Sequence, residues 1–320
     1  MAPVTVTRPR ALAPLLLAFV VALVATACSV SVDPTQETIA SSPTESAASP
    51  TPAVESEPTT PPTEADDEPE TSEPAAAATP VPSAYANLAP GQYRVVVERV
   101  LGHDTEAFSQ GLLFDGPRMF ESRGQYGESA LTEIDPETGE VLRRVDLAPE
   151  FFAEGLAKVD NRLIQLTWQE QAAFVWDATT FEPLETFTYD GEGWGLCYDG
   201  ADLWMSNGSA TLTRRDAVDF AQLELVDVVL DGQPVVRLNE LECIEGLIWA
   251  NVWLTDLIVV IDPASGDVIA TIDATGLLAQ LGPTGGEDVL NGIAYDPERD
   301  VVVLTGKYWP AMVEISLVPA

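Results

Sequence analysis

A short phrase recurs five times along this chain. A polar or aromatic residue and a Gly (in one copy a Glu) precede Leu or Ile, and an apolar run then leads to an Asp or Gly turn. The copies open at Gln110-Gly-Leu112, Glu154-Gly-Leu156, Trp194-Gly-Leu196, Asn239-Glu-Leu241 and Asn291-Gly-Ile293. Gly111 and Gly155 lie 44 residues apart, Gly155 and Gly195 lie 40 apart, and Leu196 and Leu241 lie 45 apart. Such a period constrains the fold more tightly than composition does. A repeated supersecondary unit cannot bury its apolar face alone, so the copies must stack on one another.

Within each copy, short runs rich in β-branched residues alternate with Asp, Gly and Pro turns, and no long helical periodicity interrupts them. The first copy runs to Ile134-Asp-Pro-Glu-Thr-Gly139, the second to Val175-Trp-Asp-Ala-Thr-Thr-Phe181 and the fourth to Ile261-Asp-Pro-Ala-Ser-Gly266. The third loses the Asp-Pro turn, and the fifth stops after Leu317, one strand short. A period of about 40–45 residues suits one four-stranded blade, so the sequence predicts an all-β, five-bladed β-propeller. Tyr93–Val100 reads as a strand, placed to supply the missing outer strand of the last blade and hide two sheet edges. An extended β-sandwich is the rival, but it gives no reason for the repeated phrase. The segment Ala274–Asp288 lengthens the fourth connection and is expected to hold a short helix.

The first 90 residues stand apart. Arg8 and Arg10 precede an apolar run from Ala11 to Ala25, followed by Thr26-Ala-Cys28, which is the layout of a secretory signal. The 15 residues of that run fall short of the roughly 20 that span a bilayer. Ala25-Thr-Ala27 suits an ordinary signal peptidase, and Val24-Ala-Thr-Ala-Cys28 resembles a relaxed lipobox. The expectation is a signal over residues 1–28 and an extracytoplasmic protein held at the membrane by a lipid anchor on Cys28, with free secretion as the alternative. From Ser29 to Pro90 the chain carries 12 of its 25 prolines and no Lys or Arg. Such a stretch cannot bury enough surface to offset its chain entropy, so a disordered acidic linker is expected over 29–90.

Of 51 acidic residues 11 lie in that linker, and of 15 basic residues only Arg8 and Arg10 precede residue 91, which leaves a formal charge of about −27 for residues 91–320. That balance argues against nucleic acid as a partner, since phosphate binding needs a basic face. Cys197 and Cys243 lie 46 residues apart in matching contexts. A disulfide across adjacent copies and two separately buried thiols both stay open.

In a propeller the first strand of every blade lines the central channel, so the openings face one another. They bring together Phe108, Gln110, Phe152, Glu154, Trp194, Asn239 and Asn291, and nearby strand ends add Glu121, Trp168, Asn251, Trp253 and Lys307. Such a set can hold a small polar molecule on aromatic walls with directed hydrogen bonds, with Glu154 as its working acid or base. The same groups also suit a structural role at a crowded axis, because a fold does not fix a function. The domain has a single His, His103, which argues against a His-based zinc site. A Ser-His-Asp set would have to use it, and no G-x-S-x-G motif is present. Asn207-Gly-Ser209 and the Asp-Pro pairs read as turns.

The wording of the copies carries a resemblance. Ala107-Phe-Ser-Gln-Gly-Leu112, Glu121-Ser-Arg-Gly-Gln-Tyr-Gly-Glu-Ser129, Phe152-Ala-Glu-Gly-Leu156, Leu166-Thr-Trp168, Glu192-Gly-Trp-Gly-Leu196, Leu238-Asn-Glu-Leu-Glu242, Ile248-Trp-Ala-Asn-Val-Trp253, Val289-Leu-Asn-Gly-Ile-Ala294 and Leu304-Thr-Gly-Lys307 stand in this order. They resemble the plant and bacterial glutaminyl-peptide cyclotransferases over His103 to Leu317. The resemblance implies a five-bladed propeller that converts N-terminal glutamine of peptides or proteins to pyroglutamate with release of ammonia. It implies an acyltransferase whose chemistry needs no metal or cofactor, with a structural cation in the channel left open, and the protein is expected to be a monomer. It places Glu154, Gln110 and Lys307 in catalysis and Phe108, Phe152, Trp168, Trp194, Asn239 and Trp253 around the substrate. Two other readings carry different expectations. A non-catalytic extracytoplasmic propeller would bind peptides or cell-wall components, and a propeller lactonase would need a metal held by groups such as Glu121, Asn251 and Asn291.

Overall fold

The computed structural model describes residues 83–320. The expectations for Cys28, for the signal and for most of the linker lie outside these residues. β1 (Gly91–Gly102) is followed by β2 (Ser109–Asp115), β3 (Arg118–Arg123), β4 (Ala130–Ile134) and β5 (Val141–Asp146), the last four paired antiparallel in that order. A second antiparallel sheet holds β6 (Ala153–Val159), β7 (Arg162–Thr167), β8 (Ala172–Asp177) and β9 (Pro183–Thr188). A third holds β10 (Leu196–Tyr198), β11 (Asp202–Met205), β12 (Thr211–Asp216) and β13 (Gln222–Asp227). A small hairpin of β14 (Val229–Leu230) and β15 (Gln233–Pro234) comes next.

The chain then forms β16 (Leu238–Ile244), β17 (Leu247–Val252), β18 (Leu257–Ile261) and β19 (Val268–Asp273). A single helical turn, α1 (Leu277–Gln280), falls inside the segment where a short helix was expected, and β20 (Leu290–Asp296), β21 (Val301–Gly306) and β22 (Ala311–Pro319) complete the chain. β1 pairs antiparallel with β22 along most of its length, and its Gly91–Arg94 end pairs in parallel with Ala270–Asp273 of β19. Its second pairing, with β19, was not foreseen; it fuses the last two sets of strands into one eight-stranded sheet. The result is an all-β, propeller-like set of small sheets.

Burial explains the sequence pattern. β2, β6 and β20 are buried almost from end to end, their polar residues Gln110, Glu154 and Asn291 included. The fourth strands alternate or face solvent, as in β5 and β9. β2 packs beside β6 and β20, β6 beside β10, β10 beside β16, and β16 beside β20. The glycines of the repeated phrase follow from this approach. A Cβ on Gly155 would stand 2.6 Å from the backbone of Gly195 and Leu196, and one on Gly195 would stand 2.1 Å from the carbonyl oxygen of Asn239. Neighbouring first strands therefore meet backbone to backbone, a contact only glycine permits.

The third copy lacks the proline of the Asp-Pro turn, as read from the sequence, yet its Asp216 makes the same backbone turn. Asp135, Asp177, Asp216 and Asp262 each accept, at their main-chain oxygen, the N–H four residues on, from Gly139, Phe181, Phe220 and Gly266. All four acceptor-closing residues have φ between 63° and 77°. Phe181 and Phe220 hold a backbone conformation that suits glycine, and their buried rings stack under Arg143 and Arg215. The expected unpacked stretch also ends earlier than Pro90. Tyr85 is buried against the edges of Trp249 and Tyr295, and the Ser83 hydroxyl donates to Asp300 at 2.6 Å. Cys197 on β10 and Cys243 on β16 form a disulfide with their Cα atoms 5.5 Å apart, which resolves the pairing left open by the sequence.

Candidate active site

Four first strands share one irregularity. Pairing slips between Ser109 and Gly111 in β2, Ala153 and Leu156 in β6, Leu238 and Leu241 in β16, and Leu290 and Ile293 in β20. A bulge frees its residues from the ladder, bends the strand and re-aims a side chain. The freed residues are Gln110, Glu154-Gly155, Asn239-Glu240 and Asn291-Gly292. The repeated polar–glycine pair is thus the sequence mark of a repeated bulge.

Gln110, Glu154 and Asn239 open into a cavity of about 220 Å³ that is also lined by Phe108, Phe152, Trp168, Trp194, Trp253, Asp288 and Lys307. The nine residues that the resemblance placed in the site all line this cavity, whereas Asn291, Glu121 and Asn251 do not. Asp288 was not foreseen. It follows the long connection after α1 and lies outside the repeated phrase.

The aromatic walls are edge-to-face pairs. Tyr308 meets Phe108 at 5.1 Å between ring centroids, Phe108 meets Phe152 at 6.0 Å, and Phe152 meets Trp168 at 5.7 Å. Across the cavity Trp194 meets Trp253 at 5.4 Å. Lys307 carries its ammonium 4.5 Å from the Phe108 centroid, a cation–π contact in a desolvated place.

Glu154 is 5% exposed and accepts one hydrogen bond, from Gln110 Nε2 to Oε1 at 3.0 Å. Asn291 Nδ2 donates to Gln110 Oε1 at 3.2 Å and to the Ser109 carbonyl at 2.9 Å, which turns the Gln110 N–H toward Glu154. Burial pushes the Glu154 carboxyl well above the usual carboxylate range; Lys307 pulls it down, while Glu192 and Glu170 push it further up. Burial likewise depresses the Lys307 ammonium, against the pull of Glu154 and Asp288. The two shifts agree: loss of water outweighs mutual attraction for both partners. A carboxyl whose proton affinity is raised in this way is suited to take up and return a proton, beside a cation able to meet developing negative charge.

The other channel candidates serve the fold. Glu121 is fully buried and accepts Arg123 Nε at 2.8 Å, Ser109 Oγ at 2.5 Å and a bond from His103 Nε2 at 3.0 Å. Burial alone would raise its pKa, but Arg123 and His103 hold it down to about 2. Ser109 and Glu121 crowd the same His103 nitrogen, and Nδ1 faces the Trp309 carbonyl, so no nucleophile–base–acid relay exists there. Asn251 accepts the Gly292 N–H. Glu121 thus spends its carboxyl on Arg123, Ser109 and His103, while Asn251 accepts from Gly292 and Asn291 donates to Gln110 and Ser109. Among the described residues, no three His, Cys, Asp or Glu side chains are grouped for a metal.

The sequence profile of the family described as glutamine cyclotransferase matches residues 72–317. A glutaminyl-peptide cyclotransferase of Arabidopsis thaliana is 38% identical over 221 residues, covering 67% of this chain and 68% of that protein. A crystal structure of Myxococcus xanthus glutaminyl cyclase is 40% identical and aligns with a TM-score of 0.67, over 71% of this chain and 98% of that one.

Proposed function

The chain belongs to the glutamine cyclotransferase family, and from that premise we propose how its pocket performs glutaminyl-peptide cyclotransfer. The enzyme is an acyltransferase that acts on peptides or proteins with an N-terminal glutamine. In the reaction the α-amine attacks the γ-amide carbon of its own residue, a five-membered lactam closes, and the amide nitrogen leaves as ammonia. The amine must give up a proton and the leaving nitrogen must gain one. Its unperturbed pKa is about 7.7–8.0, so most of it is protonated at neutral pH.

Glu154 as carboxylate takes the proton of the attacking nitrogen and passes it to the departing one. The observation that carries this assignment is a buried carboxyl with raised proton affinity, bonded only by a side-chain amide and open to an aromatic cavity. Gln110, oriented by Asn291, fixes the carboxylate. Lys307 is placed to meet the negative charge that develops on the amide oxygen. The indoles of Trp168, Trp194 and Trp253 with Phe108 and Phe152 fold the glutamine so that nitrogen and carbon meet, an orientation effect. Asn239 and Asp288 supply polar contacts at the cavity wall.

We read the sheets as five blades around a channel, with β1 completing the last. The side-by-side packing of β2, β6, β10, β16 and β20, and the pairing of β1 with β22, support that count. A coupled ammonia assay on Gln-led dipeptides tests the mechanism. Glu154→Gln is expected to lower turnover roughly 10²–10⁴-fold, the usual worth of general acid–base catalysis, with an unchanged far-UV spectrum. Retained turnover, or peptide binding by the wild type without any ammonia release, rejects the assignment.

A further inference from the structure

The aromatic wall has one break. Tyr308, Phe108, Phe152 and Trp168 form a continuous run of ring contacts on one side, and Trp194 and Trp253 form a pair on the other. Between Trp168 and Trp194 stands a carboxylate. Glu192 Oε2 accepts the Trp168 indole N–H at 2.9 Å and the Trp194 indole N–H at 3.0 Å, while Oε1 accepts Gln169 Nε2 at 3.0 Å. We propose that Glu192 is the positioning residue that joins the two halves of the wall and sets the separation of Trp168 and Trp194 across the substrate site. The proposal rests on the reaction assigned above.

The chain around Glu192 is built to hold that carboxylate still. Gly191 turns with φ 85°, and Gly193 donates its N–H to the Trp168 carbonyl at 2.9 Å, which ties the loop to the end of β7. A Cβ on Gly193 would stand 2.4 Å from the Tyr189 hydroxyl, so the loop sits flush on the sheet. Burial would raise the Glu192 carboxyl, but the Trp194, Gln169 and Trp168 donors hold it below its usual range. It is therefore ionised and accepts stronger hydrogen bonds than a neutral group would. With three donors on its two oxygens and no place in the cavity lining, it acts on substrate through the indoles rather than by touching it. An indole freed from its acceptor would turn, and the clamp that folds the glutamine would widen.

Three readouts on Glu192→Ala and Glu192→Gln test this: ammonia release from Gln-dipeptides, near-UV circular dichroism, and dipeptide binding by tryptophan fluorescence. E192A loses both indole bonds, and kcat/KM should fall about 10- to 100-fold, the worth of hydrogen bonds to a charged group. Most of that loss should appear in KM and in the binding titration, with a changed near-UV signal and an intact far-UV spectrum. E192Q keeps an oxygen that can accept both indoles, so it should recover most of the loss. Without the negative charge beside Glu154, its acid limb should move to lower pH. Should E192A unfold, E192D, one methylene short of the indoles, takes its place. E192A within about twofold of wild type in both KM and binding overturns the proposal, as does E192Q that is equally impaired with an unaltered near-UV signal. A wild type that releases no ammonia refutes the parent reaction instead, and the binding titration still judges the role of Glu192.

Discussion

Replacing Glu242 by Gln should stabilise the protein at alkaline pH and leave it unchanged near pH 4.5. Glu242 lies on β16, where its carboxyl accepts the Tyr295 N–H at 2.9 Å from β20. Burial raises its pKa from 4.5 to about 8, despite donors from Tyr295 and Cys243 that favour the ionised form. Below pH 4.5 the carboxyl is protonated in both folded and unfolded chains, and the contact contributes fully. Above it the unfolded chain loses the proton while the folded chain keeps it, so stability declines until the pH reaches about 8.

At about 1.4 kcal/mol per pKa unit, the ceiling for that loss is about 5 kcal/mol. Glu242 also lines a small cavity of about 110 Å³ next to the disulfide, and water there lowers the cost; about 2 kcal/mol is the expected loss. A Gln side chain presents a neutral oxygen to the same Tyr295 N–H and carries no such penalty. Guanidinium unfolding at pH 4.5, 6.5 and 8.5, with the disulfide intact, measures the gap between the two proteins. The gap should open steadily with pH in favour of Glu242→Gln. A gap of constant size, or a variant less stable than wild type at pH 8.5, refutes the reasoning.

Two further outcomes follow from the site. Lys307→Met removes the charge that pulls the Glu154 carboxyl down, so the acid limb of the kcat/KM profile should move to higher pH while kcat falls; an unmoved limb shows that the two groups do not interact. Gly155→Ala places a methyl group 2.6 Å from the backbone of Gly195 and Leu196, where no side chain can yield, and should cost about 3 kcal/mol, the upper range for overpacking. Because Gly155 adjoins Glu154, activity per folded molecule should fall as well, which a thermal melt paired with the ammonia assay separates.

The repeated phrase made much of the site legible, for a physical reason. In β2, β6 and β20 the bulge sets a residue free of the ladder next to one with no side chain at the tight approach, so Gln110, Glu154 and Asn291 each stand before a glycine. Some groups outside that constraint left no mark. Asp288 is delivered by the connection after α1, and Glu192 is visible beside Trp194 although nothing in its spacing says that it bonds two indoles. Tyr85 is a single aromatic in a Pro- and Ala-rich stretch, and its burial depends on Trp249 and Tyr295, more than 160 residues away. The Asp turn of the third copy was less visible because Asp216 has no proline after it and Phe220, like Phe181 in the second copy, fills a slot that glycine fills in the first and fourth.

Glu240 shows why burial alone does not mark out Glu154 for the proposed proton transfer. It occupies the slot that holds glycine in the other copies, and its pKa, like that of Glu154, is raised well above the usual range, by burial first and by Glu242 in addition. Its partners differ in kind. Glu240 accepts main-chain N–H groups from Ile293 on β20 and Leu112 on β2, so it staples first strands together where a glycine would have let them touch. A proton moved from such a carboxyl would have to travel through the backbone of the sheet. Glu154 accepts only the Gln110 amide and faces the cavity. Two acids of raised affinity therefore divide by their surroundings: the one held by strands ties the first strands together, and the one held by a side chain faces the pocket, where the proposed proton transfer takes place.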